Sequence, residues 1–200
     1  MNDTTFAGFV RPDGSVGVRN VVAVIPSCGC AQHVARMVAA AVPGAALVDY
    51  TGGCGETAAD LAVATQLLAQ MGRHPNVIAS LVVSLGCEGL DARDLSARIA
   101  QGWAPTELLV IQEMGGTRKT IARGIEIVRS FAEGASAYER QPCPASALTV
   151  GLECGGSDAT SGLAANPSLG VMADRLVEAG GRAILPETSE LLGAEHILMD

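Results

Sequence analysis

The chain has 200 residues, 48% of them hydrophobic and 17% charged, which is enough to bury one substantial core or two small ones. Its net charge of −8 and the lack of any cluster of Lys and Arg argue against a nucleic-acid or anionic-membrane partner. The sequence has no apolar run that could span a bilayer and no signal-like start, so we expect a cytoplasmic protein.

The first twenty residues are rich in turn formers and precede the first apolar run. The stretch from Arg11 to Asn20 contains one proline, two glycines and two arginines. Such a composition is typical of turns, so it predicts an ordered lead-in loop over residues 1–20. An α/β domain is predicted to follow over residues 21–200.

From residue 21 onward, short β-rich apolar runs alternate with amphipathic stretches. The strand candidates are Val21–Pro26, Ala46–Asp49, Val77–Leu85, Glu107–Gln112, Leu148–Glu153 and Arg182–Leu185. The helix candidates are Ala31–Ala41, Glu56–Met71, Asp91–Gln101, Arg118–Glu133 and Pro167–Ala179. This alternation predicts an α/β fold with an open, mainly parallel sheet and crossover helices, of Rossmann-like, doubly wound type.

Two further features concern how the chain is divided. Residues 134–147 include Pro142 and Pro144 and have little periodicity, so they predict a subdomain break. The last residues follow a helical pattern without a stop signal after it. We therefore expect the chain to be a fragment of a longer catalytic region.

Four of the six cysteines follow predicted strands and lie beside glycines. They are Cys30, Cys54, Cys87 and Cys154. In open parallel sheets the ligand crevice lies outside the carboxyl ends of the strands, and thiolates there suit iron, zinc or copper(I). The spacing matches no standard zinc or ferredoxin signature, so a metal site and simple packing of small thiols under glycine loops both stay open. Cys28 and Cys143 are predicted to be structural.

Two other segments concentrate polar groups. The run Gln112–Thr120 places two glycines, Arg118 and Lys119 at a strand-to-helix turn, which fits either a carboxylate or phosphate cradle or a helix cap with solvated cations. It lacks a Walker pattern, so no nucleotide cofactor is expected. The run Glu153–Gly162 holds more hydroxyls and carboxylates than a turn requires, which favours a functional site there.

Segments along nearly the whole chain resemble, in order, the altronate/galactarate dehydratase family, which also includes the large subunit of sulfolactate sulfo-lyase. They are Gly8–Arg11, Asp13–Asn20, Arg73–Asn76, Leu85–Glu88, Gly151–Asp158, Ala165–Pro167 and Gly193–Glu195. One segment departs from the family's pattern. The family has a segment of the type His-x-Tyr-Gly-Cys where this chain has Tyr50–Cys54. The cysteine is kept, but the histidine and the tyrosine of that pattern are replaced, so the resemblance does not fix the substrate.

The resemblance implies a metal-assisted hydro-lyase that dehydrates a sugar acid, such as altronate or galactarate, to a 2-keto-3-deoxy acid. The metal it implies is a divalent ion, typically iron, present as Fe²⁺ or as an iron–sulfur cluster. The metal candidates are Cys30, Cys54, Cys87 and Cys154. The candidates for coordination or proton transfer are Glu88, Glu153, Asp158 and Glu187, and those for substrate binding are Lys119, Ser157 and Asn166.

The same resemblance implies partners and leaves alternatives. A SAF-type domain or subunit and a further C-terminal region are expected to complete the enzyme, and a homo-oligomer is compatible with the sequence. A sulfo-lyase acting on sulfolactate would use the same removal of an α-proton with a different leaving group. A non-catalytic ligand-binding or assembly module is the remaining alternative.

Overall fold

A computed structural model describes residues 4–153, 155–156, 158–187 and 192–199 of the chain. The strands are β1 (Thr5–Val10), β2 (Val16–Gly17), β3 (Val21–Pro26), β4 (Ala45–Leu47), β5 (Val77–Ser84), β6 (Thr106–Val110), β7 (Gln141–Pro144), β8 (Thr149–Gly151) and β9 (Arg182–Ile184). The α-helices are α1 (Gln32–Ala40), α2 (Ala58–Gly72), α3 (Ala92–Ala100), α4 (Thr117–Ala135), α5 (Asn166–Glu178) and α6 (Glu195–Met199).

The chain divides into two compact units. The larger unit contains residues 8–141, and the smaller one combines the start of the chain, up to Ala7, with residues from Pro142 onward. None of the described helices combines the length and the apolar character needed to cross a bilayer.

A parallel four-stranded sheet forms the centre of the larger unit. Its strand order is β4-β3-β5-β6, and every neighbouring pair is parallel. The two central strands are the two longest apolar runs, and all eight residues of β5 are buried. Continuous apolar strands are what a sheet covered on both faces requires.

Helices cover both faces of this sheet. Side chains of β3 and β5 alternate between two core clusters, so Val22 and Val24 face α1 and α4 whereas Ala23 and Ile25 face α2 and α3. The predicted α/β class with a parallel sheet and helices is confirmed. The Rossmann-like, doubly wound arrangement itself stays a prediction.

The predicted lead-in loop contains strands. Within residues 1–20, β1 pairs with β2 in an antiparallel hairpin that places Phe9 opposite Gly17, and β1 lies between β2 and β7 in a three-stranded sheet. The prediction of a loop was wrong because turn formers fill only the connection between the two strands.

Arg11 fixes this hairpin to the rest of the larger unit. Its guanidinium donates to the carbonyl oxygens of Pro75 and Arg19, each over 2.8 Å. The guanidinium carbon lies 4.8 Å from the centre of the Trp103 ring, with the Phe9 and Tyr138 rings at 5.4 and 5.9 Å. Arg11 is only 2% exposed, and although its Nε and Nη2 are hydrogen-bonded, its buried Nη1 has no hydrogen-bond partner among the described residues, so the aromatic faces compensate for part of the lost water.

The smaller unit does not extend the central sheet. Among the described residues, β8 and β9 pair in parallel only with each other, with Thr149 opposite Arg182 and Gly151 opposite Ile184. The single sheet expected from all six strand candidates was therefore wrong for the last two. These strands are three residues long and largely exposed, so they lack the buried apolar surface that holds β3 and β5 together.

Candidate active site

The loops that follow β3, β4, β5 and β6 meet at one edge of the central sheet, because the carboxyl ends of parallel strands lie on the same side. We call residues 27–31, 48–57, 85–91 and 111–116 the carboxyl-edge loops. They carry Cys30, Cys54, Cys87 and Glu88, and the last of them leads into Lys119 in the first turn of α4. Five of the predicted site residues thus share one edge.

Backbone hydrogen bonds join these loops to one another. The Gly29 N–H donates to the carbonyl oxygen of Gly52, and the Gly89 N–H donates to that of Gly53, both over 2.9 Å. Gly53 has a φ of +89°, and a Cβ placed on it would lie 2.3 Å from the Ser27 carbonyl oxygen. Only glycine fits there, so the sequence Gly52-Gly53-Cys54 allows the first three loops to pack together.

Glu88 joins the same loops through its side chain. One carboxylate oxygen accepts hydrogen bonds from the hydroxyls of Ser27 and Ser84, each over 2.5 Å, and the other accepts the Gly86 N–H over 2.6 Å. Burial alone would raise the pKa of Glu88, but these hydrogen bonds outweigh it and lower the pKa to about 2. The carboxylate is therefore ionised and fully engaged at neutral pH.

This geometry suits a positioning role for Glu88 better than proton transfer. A carboxylate with a pKa of about 2 is a weak base at neutral pH, and its oxygens already hold three donors. Ser27 and Ser84 are buried partners that the sequence analysis missed. The signal available was a single serine at the end of each of two apolar strands, where a buried hydroxyl requires a partner.

A second carboxylate holds the loop after β4. Glu56 accepts the Gly53 N–H over 2.6 Å and the Tyr50 hydroxyl over 3.1 Å. Burial, together with the hydrogen bond and negative charge of Glu56, raises the pKa of Tyr50 to about 12. Tyr50 therefore stays protonated and donates to Glu56, which stiffens the loop that carries Cys54.

A cavity of about 310 Å³ opens beside Glu88 at the same edge. Ser84, Gly86 and Val110 contribute to its lining, together with Arg93 at the start of α3 and Glu113 after β6. The Arg93 guanidinium donates to the Glu113 carboxylate over 2.6 Å. Arg93 is a cation that the sequence analysis did not select, because its proximity to the loop after β6 depends on the fold.

Lys119 lies near the glycines of the loop after β6. A Cβ placed on Gly115 would be 3.4 Å from the Lys119 ammonium nitrogen, so the lysine side chain folds back over this loop. Arg118 and Lys119 are both exposed, and neither forms an ion pair within the part of the chain that the structure describes. Both interpretations of this turn, an anion cradle and a solvated helix start, fit that geometry.

In the smaller unit, two predicted residues follow paired strands. Glu153 comes after β8 and Glu187 after β9, and the Leu152 N–H donates to the Ile184 carbonyl oxygen over 2.9 Å where the two strands end. Because β8 and β9 are parallel, both glutamates follow the same end of this pair.

Asp158 is engaged locally in the smaller unit. Its carboxylate accepts the Thr160 hydroxyl and the backbone N–H groups of Thr160 and Ser161, which lowers its pKa and holds the turn that leads into the π-helix over Ser161–Ala165. Asn166 is exposed as the first residue of α5, ahead of Pro167. Cys154 and Ser157 lie outside the described residues.

Comparison with known proteins assigns both parts of the chain. Residues 8–136 match the family model of the second domain of D-galactarate dehydratase/altronate hydrolase, and residues 145–200 match that of the C-terminal domain of D-galactarate/altronate dehydratase. The chain belongs to this dehydratase family. The resemblance inferred from the sequence is thereby confirmed.

Individual relatives of this dehydratase-family chain are enzymes of two kinds. It is 33% identical to altronate dehydratase of Bacillus subtilis, over 98% of the chain and 41% of that protein. It is 35% identical to altronate dehydratase of Escherichia coli, over 95% of the chain and 40% of that protein. It is 37% identical to (2R)-sulfolactate sulfo-lyase subunit beta of Chromohalobacter salexigens, over 99% of the chain and 50% of that protein. The chain spans half or less of these relatives.

The predicted metal ligands of this family member do not form a metal centre within the described residues. Cys30, Cys54 and Cys87 are free and exposed on the carboxyl-edge loops. Across the part of the chain that the structure describes, no three His, Cys, Asp or Glu side chains are placed to hold a metal ion. A site that also uses Cys154 stays a prediction.

Proposed function

We propose that this chain contributes to the active site of a hydro-lyase that dehydrates a hydroxylated sugar acid, such as altronate or galactarate, to a 2-keto-3-deoxy acid. Membership of the dehydratase family supports the reaction class. The observation that carries the proposal is the set of carboxyl-edge loops, which Glu88 and Gly53 hold together beside a cavity of about 310 Å³.

The reaction sets clear demands on the site. A base takes the proton from the carbon next to the carboxylate, and negative charge develops on the carboxylate oxygens as an enediolate forms. The neighbouring hydroxyl then leaves with a proton as water, and the resulting enol becomes the 2-keto-3-deoxy acid. The site must therefore supply a cation for the carboxylate, a base and an acid.

In the proposal, Arg93 and Lys119 supply the positive charge. The cavity beside Glu88 lies at the lower end of the range of roughly 300–1,000 Å³ that is typical of ligand pockets, which suits a six-carbon acid. Arg93 already holds a carboxylate, that of Glu113, over 2.6 Å. A substrate carboxylate replacing Glu113 would gain the same charge-assisted pairing.

Glu153 and Glu187, which follow the paired strands of the smaller unit, stay candidates for proton transfer in the proposal, with no site shared between the two units implied, whereas Glu88 and Asp158 hold structure. Both Glu88 and Asp158 accept several hydrogen bonds that lower the pKa of their carboxylates. A carboxylate with a lowered pKa is a weaker base, so both are poor candidates for taking a proton at neutral pH. The hydroxyl and amide of Ser157 and Asn166 remain proposed contacts to the substrate hydroxyls.

Iron assistance is part of the proposal on chemical grounds alone. Thiolates such as those of Cys30, Cys54, Cys87 and Cys154 are preferred iron ligands, and a bound metal would stabilise the developing enediolate. Iron and sulfide analysis after anaerobic purification distinguishes Fe²⁺ from an iron–sulfur cluster, and protein without either would remove iron from the proposal.

A second candidate function is carbon–sulfur lysis of a sulfonated hydroxy acid. It is favoured by the 37% identity to a (2R)-sulfolactate sulfo-lyase subunit, half of whose length the chain spans. The chemistry would begin with the same removal of an α-proton, and sulfite would leave instead of water. That relative is named as one subunit, which supports the proposal that a further domain or subunit of SAF type completes the enzyme.

The test is ligand binding followed by product analysis. Calorimetric titration of the chain with altronate, galactarate and sulfolactate is expected to give saturable binding of one sugar acid. Replacing Arg93 or Lys119 by Gln is expected to weaken that binding about 10-fold or more, because each removes a charge-assisted contact. The matched control Arg123→Gln removes a cation of α4 that pairs with Glu126 instead.

The outcomes separate the candidates. Absence of binding of any sugar acid contradicts the proposal, as does equal loss of affinity in the Arg123 control. Preferential binding of sulfolactate, with sulfite release once the completing domain is added, selects the second candidate. Binding without turnover after that addition selects a non-catalytic module.

A further inference from the structure

The described residues that line the cavity beside Glu88 carry more negative than positive charge. Arg93 is the only cation among them, whereas Glu88, Asp91 and Glu113 are carboxylates. The ligand expected there is itself an anion, so a surplus of carboxylates opposes its binding. The three carboxylates differ in what they bind, and that difference indicates their roles.

Two of these carboxylates hold the fold together. Glu88 accepts two hydroxyls and one backbone N–H from the end of β5 and the carboxyl-edge loops. Asp91 caps the first turn of α3, because one of its carboxylate oxygens accepts the backbone N–H groups of Arg93 and Asp94 over 2.9 and 3.0 Å. Moving either carboxylate would leave donors of the fold without a partner, so both stay in place when a ligand binds.

Glu113 is bonded differently. In the part of the chain that the structure describes, its carboxylate has a single hydrogen-bond partner, the Arg93 guanidinium at 2.6 Å. The side chains of Arg93 and Glu113 are 70% and 61% exposed, and exposed ion pairs contribute little to stability. Glu113 can therefore leave Arg93 at little cost to the fold.

The loop that carries Glu113 limits how far its carboxylate can move. Two backbone hydrogen bonds enclose this residue. The Met114 N–H donates to the Val110 carbonyl oxygen over 2.9 Å, and the Gly116 N–H donates to that of Ile111 over 3.0 Å. Release of Arg93 therefore needs only rotation of the Glu113 side chain, and the displaced carboxylate stays beside the cavity.

We propose that Glu113 makes the cavity selective for hydroxy acids that carry a single charged group. The inference rests on the proposed function, in which the substrate carboxylate replaces Glu113 on Arg93. After that exchange, Glu113 lies unpaired next to the ligand. A second charged group on the ligand would then lie among Glu113 and Asp91 instead of meeting a cation, and like charges repel each other.

The candidate substrates differ in this respect. Altronate has one carboxylate, whereas galactarate has two, and sulfolactate has a carboxylate and a sulfonate. Lys119, the other cation of the proposed function, folds back over Gly115 and does not line this cavity, so it leaves the surplus of carboxylates there unchanged. The cavity therefore favours a singly charged acid of the altronate type.

Two effects set the change expected when Glu113 is replaced by Gln. Arg93 no longer has an internal partner, so every acid should bind about 2–6-fold more tightly, which corresponds to the strength of an exposed ion pair. A doubly charged acid should gain a further factor of about 2–5, because the repulsion is removed as well. A residue that merely supported the loop would behave in the opposite way, since its loss would weaken binding.

Calorimetric titration with altronate and galactarate at equal ionic strength tests this inference. The unmodified chain is expected to bind altronate more tightly, and its preference over galactarate should fall by about 2–5-fold in Glu113→Gln. Asp94→Asn is the matched control, because Asp94 is a carboxylate in the first turn of α3 that pairs with Arg98 over 2.7 Å. It should leave the preference unchanged, and circular dichroism verifies that each variant is folded.

Modification of arginine by phenylglyoxal gives a readout that needs no ligand. Mass spectrometry of the modified peptides should show faster modification of Arg93 in Glu113→Gln, and faster modification of Arg98 only in Asp94→Asn. An equal rate at Arg93 with and without Glu113 would show that Glu113 does not occupy this guanidinium in solution, which overturns the inference.

The titrations separate this inference from the proposed function. Tighter binding of galactarate than of altronate by the unmodified chain overturns the selectivity and leaves the dehydratase reaction standing. A preference that Glu113→Gln does not change has the same meaning. Absence of binding of either acid contradicts the proposed function and the inference with it.

Discussion

Glu88 shows how a single residue organises the candidate active site. Its carboxylate accepts donors from the end of β3, the end of β5 and the loop after β5, so one side chain fixes three segments. That Glu88 belongs to this region could be predicted from its place in Gly86-Cys87-Glu88. Its positioning role could not, because Ser27 is 61 residues away along the chain.

Replacing Glu88 by Gln should make stability less dependent on pH. The pKa of Glu88 falls from an ordinary 4.5 to about 2, so its stabilisation is complete above about pH 4.5 and is lost as the pH falls towards 2. Glu88→Gln should therefore cost about 1–3 kcal/mol in free energy of unfolding at pH 7, and less near pH 3.

Urea unfolding at pH 7, 4.5 and 3 measures this difference. Glu126→Gln, which removes an exposed carboxylate paired with Arg123, serves as control and should change stability by less than about 0.5 kcal/mol. A loss in Glu88→Gln that is equal at all three pH values would show that the carboxylate charge is not what stabilises the loops.

At the scale of elements, the strands of the central sheet could be predicted better than the pairing of the last two strands. Val21–Pro26 and Val77–Leu85 were predicted as strands because long apolar runs bounded by glycines and polar residues have few other solutions. The separate pairing of β8 with β9 could not be predicted. Their three-residue stretches carry no pattern that distinguishes an edge of a large sheet from a small independent one.

Gly53 allows a direct test of how tightly the carboxyl-edge loops pack. Gly53→Ala should destabilise the chain by about 2–4 kcal/mol, since the new methyl would meet the Ser27 carbonyl oxygen at 2.3 Å in addition to straining a φ of +89°. Gly55→Ala is the matched control, because Gly55 has a φ of +74° but no atom within 4 Å. It should cost only about 1 kcal/mol. Equal losses of stability in the two variants, measured by thermal unfolding, would show that the loop with Gly53 is not in close contact with the loop with Ser27.

At the scale of the whole molecule, the two core clusters belong entirely to the larger unit. Every buried residue of both clusters lies between Val22 and Ala135. The larger unit covers residues 8–141, and the match to the family model of the second domain covers nearly the same residues, 8–136. The larger unit therefore contains its own complete core.

A chain truncated to residues 8–141 should consequently fold by itself. Its circular dichroism should show the helical content of α1 to α4, and its thermal unfolding should be cooperative. An unfolded or aggregated product would show that residues from Pro142 onward are required to stabilise this core. The unmodified chain under the same conditions is the control.

The contact between Arg11 of the first hairpin and Trp103 provides a fluorescence signal for this part of the molecule. Trp103 is the single tryptophan of the chain, and its ring lies 4.8 Å from the Arg11 guanidinium. Release of the hairpin would remove that cation from the indole face and expose the ring to water, which would shift its emission. Intrinsic fluorescence therefore responds to detachment of the first strands, while circular dichroism reports the helices around the central sheet.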